Sequence, residues 1–130
     1  MSDKKRILYI EDETEMIELT RIVLEREGFE MLGAVGGAQG IEAIKREKPD
    51  LVLLDLMMPD VDGWEVYRRM KADKELADIP VIIITARTQS IDKVLGLKVA
   101  KVADYITKPF GPGDLVTSIR RVLARTDSPS

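Results

Sequence analysis

The chain is predicted to form an α/β fold, a doubly wound parallel sheet of five strands with helices on both faces. Three observations carry that expectation. Leu51-Val52-Leu53-Leu54 and Val81-Ile82-Ile83-Ile84 are unbroken apolar runs bounded by turn residues, the pattern of strands covered on both sides. Between such runs lie stretches with apolar residues at helical spacing, so strand and helix alternate along the chain. Several of the runs also end in groups capable of chemistry, which suits a sheet whose strand ends all open on one edge.

Ile7-Leu8-Tyr9-Ile10 is the first strand and terminates in Glu11, Asp12 and Glu13. Asp12 or Thr14 is expected to cap the following helix, whose apolar face is Met16, Ile17, Leu19, Ile22, Val23 and Leu24, with Gly28 as its stop. Phe29 to Val35 reads as a weaker strand. Gly36-Gly37-Ala38 turns from it into a helix bearing Ile41, Ala43 and Ile44; these glycines read as a strand-to-helix turn rather than a phosphate cradle, because neither glycine-rich phosphate-loop spacing is present. The central strand delivers Asp55 at its carboxyl end, followed by a Pro59-Asp60-Val61-Asp62-Gly63 loop. Asp62 or Gly63 opens a third helix with Trp64, read as a half-buried core aromatic, and with Val66, Tyr67 and Met70. Lys71 to Asp78 reads as a solvated connector before the strand that ends in Thr85-Ala86-Arg87. Ser90 then caps a helix with Ile91, Val94, Leu95, Leu97 and Val99. Asp104 to Thr107 forms the last strand, running into Lys108-Pro109-Phe110, and Gly111 to Asp114 turns into a final helix with Leu115, Val116, Ile119, Val122 and Leu123. Residues 1–125 are expected to form one domain and residues 126–130 a tail or linker stub.

The 130 residues suffice for one core without cross-links. The absence of cysteine and histidine removes disulfides, thiolate nucleophiles, imidazole bases and the usual zinc ligands, so chemistry must run on carboxylates, hydroxyls, lysines and backbone. A net charge of −3 with signs interspersed argues against direct nucleic-acid contact or a membrane patch, and no apolar run approaches membrane-spanning length; a cytoplasmic location is expected.

The strand ends together gather Glu11, Asp12, Asp55, Thr85 and Lys108: three acids, a hydroxyl and a cation from four separate strands. Three clustered acids repel unless a cation joins them, and an all-oxygen set suits Mg²⁺ or Mn²⁺.

Glu11-Asp12, Asp55 with Met57-Met58-Pro59 and Asp62-Gly63, Thr85-Ala86, and Tyr105 to Phe110 as a set resemble the receiver domain of bacterial two-component response regulators, over nearly the whole chain. The resemblance implies a flavodoxin-like sheet of order 2-1-3-4-5 with five helices. It implies a phosphoryl group accepted on Asp55 from a sensor histidine kinase or histidine phosphotransfer protein. Asp12 and Asp55 would bind the metal directly, Glu11 through water, and the Met57 backbone carbonyl would add a ligand. Lys108 and Thr85 would bind the phosphoryl oxygens. Pro109 would follow a cis peptide bond, and Thr85 and Tyr105 would form a switch at the surface of the fourth helix, fifth strand and fifth helix. Downstream effectors, a fused output domain, or a second copy meeting that surface are the further partners implied. Met57 and Arg87, two residues beyond Asp55 and Thr85, would flank the path of the hydrolytic water and set the phosphate's lifetime. The chain departs from the family pattern at Lys98 to Asp104, where a common Gly-Ala pair is missing.

Such a module catalyses only its own phosphorylation and dephosphorylation and is not otherwise an enzyme. The alternative is an aspartyl-phosphate-type phosphatase, whose nucleophile is normally followed two residues later by a second acid; Met57 stands there. A third reading is an interaction scaffold without phosphoryl chemistry.

Overall fold

The computed structural model describes residues 4–86 and 102–127. Five parallel strands, β1 (Arg6–Glu11), β2 (Glu30–Val35), β3 (Leu51–Asp55), β4 (Val81–Ala86) and β5 (Asp104–Lys108), form one sheet in the order β2-β1-β3-β4-β5. The described helices are α1 (Thr14–Arg26), α2 (Gly37–Glu47), α3 (Gly63–Ala72) and α4 (Pro112–Asp127). The helix expected from Ser90 lies outside the described residues, as do Arg87 and the departure at Lys98 to Lys101. This is the flavodoxin-like arrangement of strands that the sequence predicts.

The sheet is buried on both faces, which explains its unbroken apolar runs. Alternate residues point to opposite sides. Ile7, Tyr9, Leu51, Leu53, Ile82 and Ile84 pack with α1 and α4, while Leu8, Ile10, Val52, Leu54, Val81 and Ile83 pack with α2 and α3. The same alternation places Glu11 and Asp55 on the α1/α4 side. Strand β1 lies between β2 and β3, so the order reverses beside the carboxyl ends of β1 and β3, the point where an open α/β sheet forms a crevice.

Several boundaries differ from expectation for local reasons. Neither Asp12 nor Thr14 caps α1: the N-cap is Glu13 without a side-chain bond, and the Asp12 and Glu13 N–H groups just before the helix donate to Glu11 Oε2 at 3.0 and 3.2 Å. Helix α1 stops at Arg26, and Gly28 occupies the left-handed region at φ 92° two residues on. Phe29 precedes β2 rather than opening it. Asp62 does cap α3, accepting from the Trp64 N–H at 2.8 Å, and half-buried Trp64 meets Tyr67 edge-on. The connector after α3 is not wholly solvated, since Leu76 is buried among Val66 and Met70. Helix α4 continues through Asp127, so Thr126 and Asp127 belong to it rather than to a tail.

Candidate functional site

Asp55 ends β3 and Glu11 ends β1, and both are buried. With Asp12 they form an acid cluster in which one oxygen of each carboxylate lies within 4.8 Å of the others. Lys108 ends β5, two strands from β3, yet its side chain crosses β4. Its Nζ lies 2.7 Å from Glu11 Oε1 and 3.1 Å from Asp55 Oδ2. The Lys108–Pro109 peptide bond is cis.

Glu11 is saturated with donors. Oε1 accepts from Lys108 and from the buried Tyr9 hydroxyl at 3.0 Å, while Oε2 takes two backbone N–H groups. Burial opposes its ionisation, but the Lys108 hydrogen bond and the other donors prevail and hold it down to about 2. Asp55 is left on the opposite side: burial and the neighbouring Glu11 charge push it up to about 6, against the pull of the Met57 N–H, 3.0 Å from Oδ1, and of Lys108. Burial and then Glu11 also raise Asp12. The same two causes raise the Tyr9 phenol, which stays a neutral donor. Lys108 is raised despite its burial, because Glu11 and Asp55 both favour the ammonium.

This donor set is all oxygen, partly buried and rich in negative charge, and it fits Mg²⁺ or Mn²⁺. Lys108 already neutralises part of the cluster, and half-buried Asp12 is the most exposed of its three acids. Thr85, at the end of β4, is 4% exposed, and among the described residues its hydroxyl makes a single long 3.4 Å contact, to the Ala86 carbonyl, so it can turn its donor to an arriving oxygen. Met57 is 60% exposed beside Asp55. Tyr105 on β5 is half exposed, its backbone N–H held by Asp104 Oδ1 at 2.8 Å. The structure thus joins Glu11, Asp12, Asp55 and Lys108 directly and puts Thr85 on the adjoining strand end; Arg87 is outside the described residues.

Two residues that the sequence reading passed over belong to this region. Tyr9 is two positions before Glu11 and therefore on the same side of β1, so the strand period carried a signal for its hydroxyl bond. Asp60 accepts from the Gly37 and Ala38 N–H groups at 3.0 and 3.1 Å, and these bonds depress its carboxyl. No local pattern marks that contact.

A family model described as the response regulator receiver domain matches residues 7–120. The chain is 42% identical over 125 residues to the transcriptional regulatory protein CseB of Streptomyces coelicolor, covering 96% of this chain and 52% of that protein. It is 43% identical over 122 residues to the phosphate regulon transcriptional regulatory protein PhoB of Pseudomonas aeruginosa, covering 94% and 53%. The chain therefore spans about half the length of these curated relatives. Among solved structures, the signal receiver domain of a signal transduction histidine kinase from Syntrophus aciditrophicus superposes with a TM-score of 0.86 at 28% identity, covering 97% of this chain and 95% of that one. The N-terminal domain of a response regulator receiver protein from Methanoculleus marisnigri gives 0.74 at 36% identity, covering 93% and 98%.

Proposed function

The chain belongs to the response regulator receiver domain family, and from that premise we propose that Asp55 accepts a phosphoryl group from a partner's phosphohistidine in a Mg²⁺-dependent reaction. The observation that carries the proposal is one buried strand-end carboxylate held beside both an acid cluster and an ammonium, with Lys108 Nζ 3.1 Å from Asp55 Oδ2.

In the transfer, an Asp55 oxygen bonds to phosphorus as the bond from phosphorus to the imidazole nitrogen breaks, and the departing imidazole keeps that electron pair. Bound Mg²⁺ would offset the charge of the phosphoryl oxygens, with Asp12, Asp55 and the Met57 carbonyl as its direct ligands and Glu11 acting through water. Glu11 is well suited to an indirect role, since its oxygens already receive donors from Tyr9, Lys108 and the backbone. Lys108 stands ready as a point charge for a phosphoryl oxygen, a positioned cation where negative charge gathers. Thr85 turns its hydroxyl to another oxygen, and the room it leaves admits the Tyr105 ring. Phosphorylation is thereby read out on the surface around β5. A sensor kinase or phosphotransfer protein supplies the group in the cytoplasm; an effector, a fused output domain or a second copy reads the switched surface. That the relatives CseB and PhoB are transcriptional regulatory proteins supports transcriptional control as the output.

The test is labelling by a small phosphodonor such as acetyl phosphate. One phosphate per chain, lost with a chelator and absent in Asp55→Asn, is expected. Sustained turnover of phosphate esters would instead make the protein a phosphatase, and no reaction would leave it a scaffold.

A further inference from the structure

Helix α2 begins without a side-chain cap of its own: its N-cap is Gly36, at φ 88°. The Gly37 and Ala38 N–H groups that open the helix donate instead to Asp60 Oδ1 and Oδ2, a carboxylate from the β3–α3 loop that carries Met57. A negative charge at a helix N-terminus is favourable, and here it comes from a residue 23 positions away. The glycines make room for it. A Cβ at Gly36 would lie 3.0 Å from Asp60 Oδ2, and one at Gly37 would lie 2.6 Å from Val61 Cβ. The Gly36 N–H in turn donates to the Glu11 carbonyl at 3.1 Å, so the seat of the loop is tied to the strand that bears Glu11. At its other end the loop starts from Asp55, whose Oδ1 accepts the Met57 N–H.

We infer that Asp60 is a positioning residue that clamps the Met57 loop onto the N-terminus of α2 and so presets the Met57 carbonyl for the metal. The inference rests on the metal reading of the acid cluster and extends it to a residue outside that cluster. By linkage, a clamp that favours metal binding is itself tightened by metal, so Mg²⁺ makes itself felt at the Gly37 and Ala38 amides.

The experiment titrates Mg²⁺ into isotopically labelled protein and follows both the Kd and amide hydrogen exchange. In the wild type, Mg²⁺ slows exchange at Gly37 and Ala38. Asp60→Ala raises the Kd about three- to tenfold and abolishes that response, while Asp60→Asn, which keeps an acceptor without the charge, falls between. Asp114→Ala is the stability control: it removes the carboxylate that accepts the Gly111 N–H at 3.3 Å beside α4 and leaves the Mg²⁺ Kd unchanged. An Asp60→Ala variant with the wild-type Kd overturns the clamp, and so does an equal loss in Asp114→Ala. A wild type that binds no Mg²⁺ overturns the metal reading beneath it.

Discussion

Asp55 and Glu11 share one ammonium yet sit on opposite sides of the ordinary carboxylate range, and the metal-free protein's pH dependence follows from that split. Asp55 rises from 3.8 to about 6 on folding, so its ionisation opposes the fold; that cost is complete above pH 6 and fades as pH falls towards 4. Glu11 falls from 4.5 to about 2, so its contribution is complete above 4.5 and is lost as pH drops towards 2. In chelator, stability should therefore rise modestly from pH 7 to about 5 and then fall. Asp55→Asn removes the first limb while Lys108 keeps Glu11. It is expected to be more stable than the wild type at pH 7 by on the order of 1–3 kcal/mol, with the gap closing near pH 4. Urea denaturation across pH checks this; a variant less stable at pH 7 would refute it. Met57 bears on a different quantity. Its exposed apolar side chain offers an attacking water no acceptor, so the phosphoaspartate should be long-lived. Met57→Glu supplies a group that orients water and is expected to hasten decay about tenfold, a barrier change of ~1–2 kcal/mol. Phosphate loss after donor removal measures it, and an unchanged rate defeats the shielding idea.

At the scale of elements, two glycines separate close packing from mere flexibility. Gly63 opens α3 directly against β3: a Cβ there would strike the Asp55 carbonyl oxygen and lie 2.7 Å from Leu56 Cα. The obstacle is backbone, which cannot rotate away. Gly63→Ala is therefore expected to cost several kcal/mol, about 3 or more, and to weaken Mg²⁺ binding by displacing the strand end. Gly113, in the first turn of α4, meets nothing within 4 Å, and Gly113→Ala should stabilise by roughly 0.5–1 kcal/mol. Thermal melts of the pair test this, and similar effects from both would contradict it. Strands were the most legible elements, because residues such as Leu53 and Ile83 are apolar on both sides of a doubly covered sheet. Helix starts were less so: Asp62 caps by a local rule, whereas α1 begins at Glu13 with no side-chain cap, and α2 is capped from another loop altogether.

For the whole molecule, the acid cluster is a place where separate strands converge, so binding of a metal there would be linked to folding. At Mg²⁺ a hundredfold above its Kd, the protein should gain about 2.7 kcal/mol. That is worth roughly 8 °C in Tm at this chain length. Asp55→Asn should lose most of the gain, and equal shifts in both proteins would place the ion elsewhere. Asp55, Thr85 and Lys108 were legible as neighbours because parallel strands bring all their carboxyl ends to one edge, a consequence of topology alone. What each touches was not legible, since the Tyr9 hydroxyl bond and the Asp60 clamp depend on side-chain direction within that edge. Lys108 and Glu11 are 97 positions apart in the chain and 2.7 Å apart in space. A ribosome needs roughly 5–20 s to travel that interval. Through that time the nascent chain holds Glu11 without Lys108, the ammonium that partners it in the finished fold, so this buried ion pair is among the last contacts the growing chain can make.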